Sequence, residues 1–262
     1  MTSRHPKPSR PAHEPAGAEP VDAAGAAAAS TPPARRGGGV LEAHGLTKAY
    51  GELVALAPLD LWIGPGEAVV LVGHNGSGKT TLLRMVSGLL DPSGGEVLAA
   101  DHPAGSAGAR AAVSYLPDNP TFYDDLSVWE HLEYVARLHG REPDDWQQDA
   151  ADLLGLLGLY ERADDLPVTF SRGLKQKTSI ALGFVRPFDV LVVDEPFVGL
   201  DAAGKAALLD LLDEAHGRGA ALLVATHELA FVERVERCVA LRDGEVIYDG
   251  PTEGIDVVGL VA

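Results

Sequence analysis

A glycine-rich run at residues 73–80 carries the clearest chemistry in the sequence. Its letters, GHNGSGKT, fit the pattern G-x-x-x-x-G-K-[ST] and stand between the apolar run AVVLV and the helix-like run TLLRMVSG. Glycines let backbone N–H groups turn inward around phosphate oxygens, the helix N-terminus adds positive potential, and Lys79 can reach the terminal phosphates of a nucleotide. The run therefore predicts a phosphate-binding loop. The predicted nucleotide-binding residues here are Gly73, His74, Asn75, Gly76, Ser77, Gly78, Lys79, Thr80 and Thr81.

Two adjacent acids follow a second apolar run. Residues 190–193 are all apolar, and Asp194 and Glu195 come directly after them. Ligands sit at the C-terminal ends of strands in parallel sheets, so we expect these acids beside the phosphate loop. We predict that Thr80 and Asp194 hold Mg²⁺, and that Glu195 orients and partly deprotonates the water that attacks the γ-phosphate. The two runs together predict an ATPase with ATP and Mg²⁺ as its cofactors.

Short β-branched runs alternate with helical stretches from Val40 onward. Continuous apolar strands separated by helices predict a largely parallel sheet that is covered on both faces. Ser127 and Glu130 have the spacing of a capping box at the start of one helix. The predicted strands are residues 69–72, 112–116, 190–193 and 221–226, and the predicted helices are residues 79–87, 128–139, 144–157, 174–185 and 202–216. Residues 119–170 are predicted to be almost wholly helical.

Further segments stand in the order found in the ATP-binding subunits of ABC transporters, and the chain resembles that family from about Val40 to Gly250. The run FSRGLKQ at residues 170–176 is similar to the family's signature sequence, with Arg172 and Leu174 where Gly and Gln are commoner. A helix N-terminus opened by serine can face an anion. The resemblance implies that this anion is the γ-phosphate of ATP held by a second subunit. The residues implied to contact it are Ser171, Arg172 and Gly173.

Three single residues also match family motifs. Asp201, after Gly199 and Leu200, resembles the D-loop that crosses the dimer interface, and it is also placed to cap a helix. His227 in the run ATHE resembles the switch histidine that contacts the γ-phosphate, where the alternative is a structural histidine. Tyr50 in KAYG matches the aromatic residue that stacks on adenine, where the alternative is ordinary packing.

Asp118, in the run YLPD, stands where the family usually has glutamine. Aspartate is charged and one methylene shorter than glutamine, so the same place in the chain offers a different oxygen to the metal. We predict Asp118 as a third Mg²⁺ ligand, and the alternative is a polar loop residue without a metal contact.

The resemblance implies an α/β fold of the P-loop NTPase class and ABC type. Its parts are a largely parallel core sheet, an antiparallel N-terminal β subdomain and an inserted helical lobe at about residues 119–185. The ATP-binding domain is expected at residues 39–250. Residues 1–38, rich in Pro, Ala, Gly and Ser, are expected to be a disordered tail, and residues 251–262 a short C-terminal extension.

Composition limits the classes of partner that the chain is expected to bind. The formal net charge of −17 disfavours binding to nucleic acid, and no apolar run approaches the roughly 20 residues of a membrane span. No secretion signal is evident, and Cys238 is the only cysteine, so we expect a cytoplasmic protein. The resemblance implies two partners: a transmembrane permease subunit, which holds the chain at the inner face of the membrane, and a second ATP-binding subunit, identical or different.

Two rival functions share this nucleotide chemistry. A soluble ABC-type ATPase acting on nucleic acid or the ribosome usually has a long coiled-coil insertion or two cassettes, whereas each motif occurs here once. A P-loop kinase would leave the FSRGLKQ run and His227 unexplained. The run SRGLKQK, without Ala-Arg-Ala-Leu after it, is more similar to exporters of the ABC-2 type than to importers. Phe122 and Tyr123 are candidates for permease docking or for the core.

Overall fold

The strands form two sheets, and helices connect several of them along the chain. The computed structural model describes residues 40–254, 256 and 259, so the predicted tail and the rest of the predicted extension lie outside the described residues. In chain order the strands are β1 (Leu41–Tyr50), β2 (Leu53–Ile63), β3 (Ala68–Val72), β4 (Gly94–Ala99), β5 (His102–Pro103), β6 (Val113–Leu116), β7 (Val190–Asp194), β8 (Ala221–Ala225), β9 (Arg237–Arg242) and β10 (Glu245–Pro251). The α-helices are α1 (Lys79–Val86), α2 (Ala107–Ala112), α3 (Val128–Leu138), α4 (Pro143–Leu156), α5 (Arg172–Phe184), α6 (Ala202–Gly217) and α7 (Leu229–Val232).

The larger sheet has the strand order β10-β9-β3-β8-β7-β6. Every neighbouring pair from β9 to β6 is parallel, and β10 pairs antiparallel with β9 at the edge. All residues of β3, β7 and β8 are buried, as expected for parallel strands covered on both faces. Along β3, Val70 and Val72 pack into one core, and Val69 and Leu71 pack into the other. The predicted parallel sheet is confirmed.

The smaller sheet is antiparallel and has the order β2-β1-β4-β5. Its apolar side packs with α1 and one face of β3 in the second core. This sheet is the antiparallel N-terminal part of the predicted α/β fold. The two sheets together bring the turn between β3 and α1 close to β2, since the Ala55 carbonyl oxygen lies only 2.9 Å from the position that a Cβ atom on Gly78 would occupy.

Three helices, α3, α4 and α5, pack on one another around the fully buried Trp146. The predicted capping box starts α3, because Ser127 Oγ accepts the Glu130 N–H and Glu130 Oε2 accepts the Ser127 N–H at 2.8 Å. The prediction of an almost wholly helical stretch is wrong for residues 119–127, 139–142 and 157–170, which form turns, extended chain and two short 3₁₀ helices. Prolines at 120 and 167 lack the N–H that an α-helix interior needs.

Candidate nucleotide-binding site

The glycine-rich loop joins the end of β3 to the start of α1, which is the predicted context. Gly76 and Gly78 have positive φ angles of 85° and 103°, a region that favours glycine. A Cβ atom on Gly73 would lie 2.3 Å from Ser77 Oγ and 2.4 Å from the Leu241 carbonyl oxygen. Only glycine therefore fits at this turn, and the loop backbone can curl back above the N-terminus of α1.

Lys79 lies inside this curl, and its side chain is only 7% exposed. Its Nζ donates a 2.6 Å hydrogen bond to the Gly73 carbonyl oxygen and lies 3.9 Å from Glu195 Oε1. Burial lowers the pKa of the Lys79 ammonium, while the charges of Glu195 and Asp194 raise it. The loop therefore holds a cation at its centre, where phosphate oxygens would be attracted.

Thr80, in the first turn of α1, contacts Asp194, the last residue of β7. Thr80 Oγ1 donates a 2.8 Å hydrogen bond to Asp194 Oδ2, and Asp194 is 2% exposed. Burial raises the pKa of Asp194, and the hydrogen bond from Thr80 opposes that rise. A hydroxyl and a carboxylate oxygen are the hard donors that Mg²⁺ prefers, so this pair fits that metal.

Among the described residues, no group of three or more His, Cys, Asp and Glu side chains is placed to hold a metal ion by itself. Mg²⁺ is commonly bound by one or two carboxylates together with substrate phosphates and waters. Thr80 and Asp194 match that smaller requirement.

Glu195 has an unusual backbone. Its φ is +46°, which costs free energy for a residue with a Cβ atom, and its N–H donates a 2.8 Å hydrogen bond to the Ala225 carbonyl oxygen. This turn points the side chain back towards the loop, where Oε1 also lies 3.5 Å from His227 Nε2. Burial raises the pKa of Glu195, whereas burial and then the Lys79 charge lower the pKa of His227.

The predicted acids and all the predicted loop residues except Gly73 line one cleft of about 250 Å³. The strand ends at β3 and β7 supply most of the lining, as expected for the carboxyl edge of a parallel sheet. The lining residues are Ala55, His74, Asn75, Gly76, Ser77, Gly78, Lys79, Thr80, Thr81, Asp118, Asp194 and Glu195. His227 borders a neighbouring cleft that shares Glu195.

Ser171, Gly173 and Asp201 lie outside that lining and form a second group. Ser171 caps α5, and Asp201 caps α6 by accepting the Gly204 N–H at 2.8 Å. A Cβ atom on Gly173 would lie 2.5 Å from the Gly199 carbonyl oxygen, so the first turn of α5 and the loop before α6 approach closely. The structure therefore separates the predicted residues into a phosphate-loop group and a signature group on one chain.

Arg172 links the second group to the first. Its Nη2 donates a 2.8 Å hydrogen bond to Asp118 Oδ1, and Asn119 Nδ2 donates a 2.7 Å hydrogen bond to Asp118 Oδ2. Both carboxylate oxygens of Asp118 thus have a donor, although each retains a further lone pair. The predicted roles of Asp118 as a metal ligand and of Arg172 as a phosphate ligand stay predictions.

Tyr50 ends β1, is 52% exposed and has Lys48 Nζ 5.2 Å above its ring.

Sequence reasoning missed Ala55, which lines the cleft from β2, because a small apolar strand residue carries no chemical signal. It also missed Lys177, whose Nζ lies 2.9 Å from Asp201 Oδ1.

Comparisons with known proteins agree with this geometry. A family model described as ABC transporter matches residues 56–198. The uncharacterized ABC transporter ATP-binding protein YthP of Bacillus subtilis (strain 168) is 33% identical over 78% of this chain and 84% of its own length. The SkfA peptide export ATP-binding protein SkfE of the same organism is 33% identical over 80% of this chain and 88% of its own length.

One solved structure is similar to this chain in fold, and its description names bound ligands. The ATP-binding cassette MJ0796, described as a dimeric post-hydrolysis state bound to ADP and Pi, has a TM-score of 0.75 and 25% identity. The match covers 82% of this chain and 100% of that one.

The chain belongs to the ABC transporter family as an ATP-binding subunit. It is an ATPase that powers a transporter. In the part of this chain that the structure describes, no helix has the length and apolar character to cross a bilayer.

Proposed function

We propose that this subunit binds ATP with Mg²⁺ in the phosphate-loop cleft and drives export through its permease. The observation that carries the proposal is the convergence of one ammonium, one hydroxyl and two carboxylates on that cleft, from Lys79–Thr80 and Asp194–Glu195. Placement of charge and hydrogen-bond donors around the γ-phosphate is most of what phosphoryl transfer requires from a protein.

Each residue of the phosphate-loop group has a role in this proposal. Lys79 exchanges its contact with the Gly73 carbonyl oxygen for the β and γ phosphates. Thr80 and Asp194 hold Mg²⁺, which when bound supplies positive charge to the phosphate oxygens. Glu195 accepts a proton from the attacking water, and its raised pKa makes it a better base than an ordinary glutamate.

Three further residues, besides Lys79, Thr80, Asp194 and Glu195, also have roles in this proposal. His227 contacts the γ-phosphate from the neighbouring cleft. Tyr50 stacks on adenine, which its exposed ring at the β1 end can accept. Asp118 approaches Mg²⁺ from the loop after β6.

The signature group serves a second subunit. Ser171, Gly173 and Asp201 lie outside the lining of the cleft of their own chain, at the N-termini of α5 and α6. We infer that they, with Arg172, contact ATP bound to another ATP-binding subunit. The dimeric state described for MJ0796 supports this arrangement.

The permease holds the subunit at the inner face of the membrane, and the direction is export. The description of SkfE as a peptide export protein supports that direction, as does the run SRGLKQK. The descriptions of the relatives favour a transporter over an ATPase that acts on nucleic acid. In proteoliposomes with the subunit facing outward, ATP added outside should drive cargo into the lumen, and loss of preloaded cargo would show import instead.

Assembly offers the most direct test of the proposal. A Glu195→Gln variant should bind ATP without hydrolysing it, so sedimentation with MgATP should give dimers at micromolar concentration, and sedimentation with EDTA should give monomers. Adding Ser171→Ala should weaken the dimer, since it removes a signature-group hydroxyl, whereas Ser106→Ala, which removes the N-cap hydroxyl of α2 outside the cleft lining, should not. If MgATP leaves Glu195→Gln monomeric alone and with its partner subunit, the two-chain site is wrong.

A further inference from the structure

Arg172 and Asp118 are two positions where this chain departs from the residues usual in its family, and they form an ion pair with each other. Arg172 Nη2 lies 2.8 Å from Asp118 Oδ1, although the residues are 54 positions apart in the chain. Their side chains are 56% and 32% exposed. Arg172 adds a positive charge to the signature run, and Asp118 adds a negative charge to the loop after β6. The ion pair brings these two opposite charges into contact.

Asp118 adds a third carboxylate to a cleft that is already acidic. Asp194 and Glu195 line the same cleft, and Lys79 is the ammonium that faces them. An unbalanced acid at this place would repel the phosphates of a nucleotide.

The pair is held at both ends. Asn119 Nδ2 donates a 2.7 Å hydrogen bond to Asp118 Oδ2, which fixes the carboxylate from the side opposite Arg172. The arginine stem passes close to Gly199, where a Cβ atom would lie 3.4 Å from Arg172 Cγ. Arg172 is also the first residue of α5, so its backbone is fixed by the helix that Ser171 caps.

We propose that Arg172 is a positioning residue for the nucleotide site of its own chain. Through the ion pair it balances the charge of Asp118 and holds this acid at the cleft, so that a nucleoside triphosphate enters without added repulsion. The inference rests on the proposed cleft as the nucleotide site. It differs from the signature role of Arg172, because it requires Asp118 and no second subunit.

The test is a mutant cycle read by nucleotide affinity. The dissociation constant of a fluorescent ATP analogue is measured in EDTA, at protein concentrations where sedimentation finds monomers. Arg172→Ala should raise it about two- to fivefold, the range expected for a partly exposed pair. Adding Asp118→Asn to Arg172→Ala should restore wild-type affinity to within about twofold, since the uncompensated charge is gone. High salt should shrink the Arg172→Ala deficit.

The matched control is Arg218→Ala. Arg218 forms an exposed pair with Glu214 at 3.0 Å, so the variant removes the same charge from a similar contact away from the cleft. Its affinity should equal that of the wild type. Arg172→Lys keeps the charge and should also bind nearly normally, and thermal melting confirms that each variant is folded.

Two different failures can be told apart. If Lys79→Ala binds the analogue as tightly as the wild type, the proposed cleft itself is wrong. If Lys79→Ala loses binding while Arg172→Ala binds like the wild type, or while Asp118→Asn fails to rescue it, the cleft stands and the positioning role of Arg172 is overturned.

Discussion

Lys79 Nζ lies 3.9 Å from Glu195 Oε1, so the cation that should bind phosphate and the carboxylate that should activate water are neighbours. They reach this contact from different elements, since Lys79 begins α1 and Glu195 follows β7. Replacing either residue removes one charge from the same small cleft. Their proposed roles differ, however, and measurements of binding and of rate can separate them.

Lys79→Ala should abolish nucleotide binding, because it removes the cation that faces the phosphates. Glu195→Gln should keep binding within about threefold and lower the hydrolysis rate at least about 100-fold, the usual scale for a general base. Binding is measured by calorimetry and hydrolysis by phosphate release. Arg218→Ala, a charge loss at the end of α6 away from the cleft, serves as the control. Equal losses of ATP affinity in the two cleft variants would contradict this division of roles.

The candidate site was largely predictable from the sequence because most of its residues lie in short continuous runs. The loop at residues 73–80 and the pair Asp194–Glu195 each follow an apolar run, and parallel strands bring their ends to one edge. The ends of helices were predictable for a similar local reason, as the capping box of Ser127 shows.

Other features depend on contacts between distant segments. The pair between Arg172 and Asp118 joins residues 54 positions apart, and neither residue carries a pattern that names its partner. The antiparallel edge strand β10 was also missed, since its residues are largely exposed and lack a continuous apolar run. Residues 119–127 are not helical, in contrast to the prediction, because Pro120 lacks the N–H that a helix interior needs.

The raised pKa of Glu195 predicts a pH dependence. Burial is its main cause, and only the ionised carboxylate can accept a proton from water. The hydrolysis rate at saturating MgATP should therefore be maximal at higher pH. It should fall as the pH drops through a value above the pKa of an ordinary glutamate. The pKa of His227 is lowered, so its imidazole stays neutral until more acidic conditions.

The measurement is kcat as a function of pH for the wild type and His227→Asn. The acid limb should stay in place in the variant, even if the rate is lower throughout. If the acid limb is absent in His227→Asn, the group that titrates is the imidazole and not Glu195.

Tyr123 is the better of the two candidates for permease docking. It is 55% exposed, and its ring stacks on His131 at 5.9 Å and meets Tyr134 edge-on at 5.5 Å. Phe122 is half-buried and packs edge-on against His131, which favours a core role. Tyr123→Ser should therefore lower transport several-fold in proteoliposomes and leave the basal ATPase rate of the free subunit unchanged.

Phe122→Ser should lower the melting temperature instead. Tyr160→Ser, which removes a tyrosine of 59% exposure elsewhere, is the control for general surface effects. Transport by Tyr123→Ser at the wild-type level would remove this residue from the docking surface.

The predicted metal role of Asp118 can be separated from its pairing with Arg172 by the length and charge of the side chain. Both carboxylate oxygens accept hydrogen bonds, from Arg172 and Asn119, but each has a lone pair left for a metal. Asparagine keeps the length and removes the charge, and glutamine restores the reach of the family's usual residue. Carboxylate oxygens bind hard divalent cations more strongly than amide oxygens do.

Asp118→Asn should therefore raise the Mg²⁺ concentration for half-maximal hydrolysis by about three- to tenfold, because a charge-assisted contact is lost. Asp118→Gln should stay near the wild type, since its longer side chain compensates for the missing charge. Mg²⁺-dependent binding of the ATP analogue gives a second readout that does not need turnover. Asp91→Asn, an exposed acid outside the cleft lining, is the control. If the Mg²⁺ titrations of wild type and both Asp118 variants superimpose, Asp118 does not ligate the metal, and its place in the cleft is explained by the ion pair with Arg172 alone.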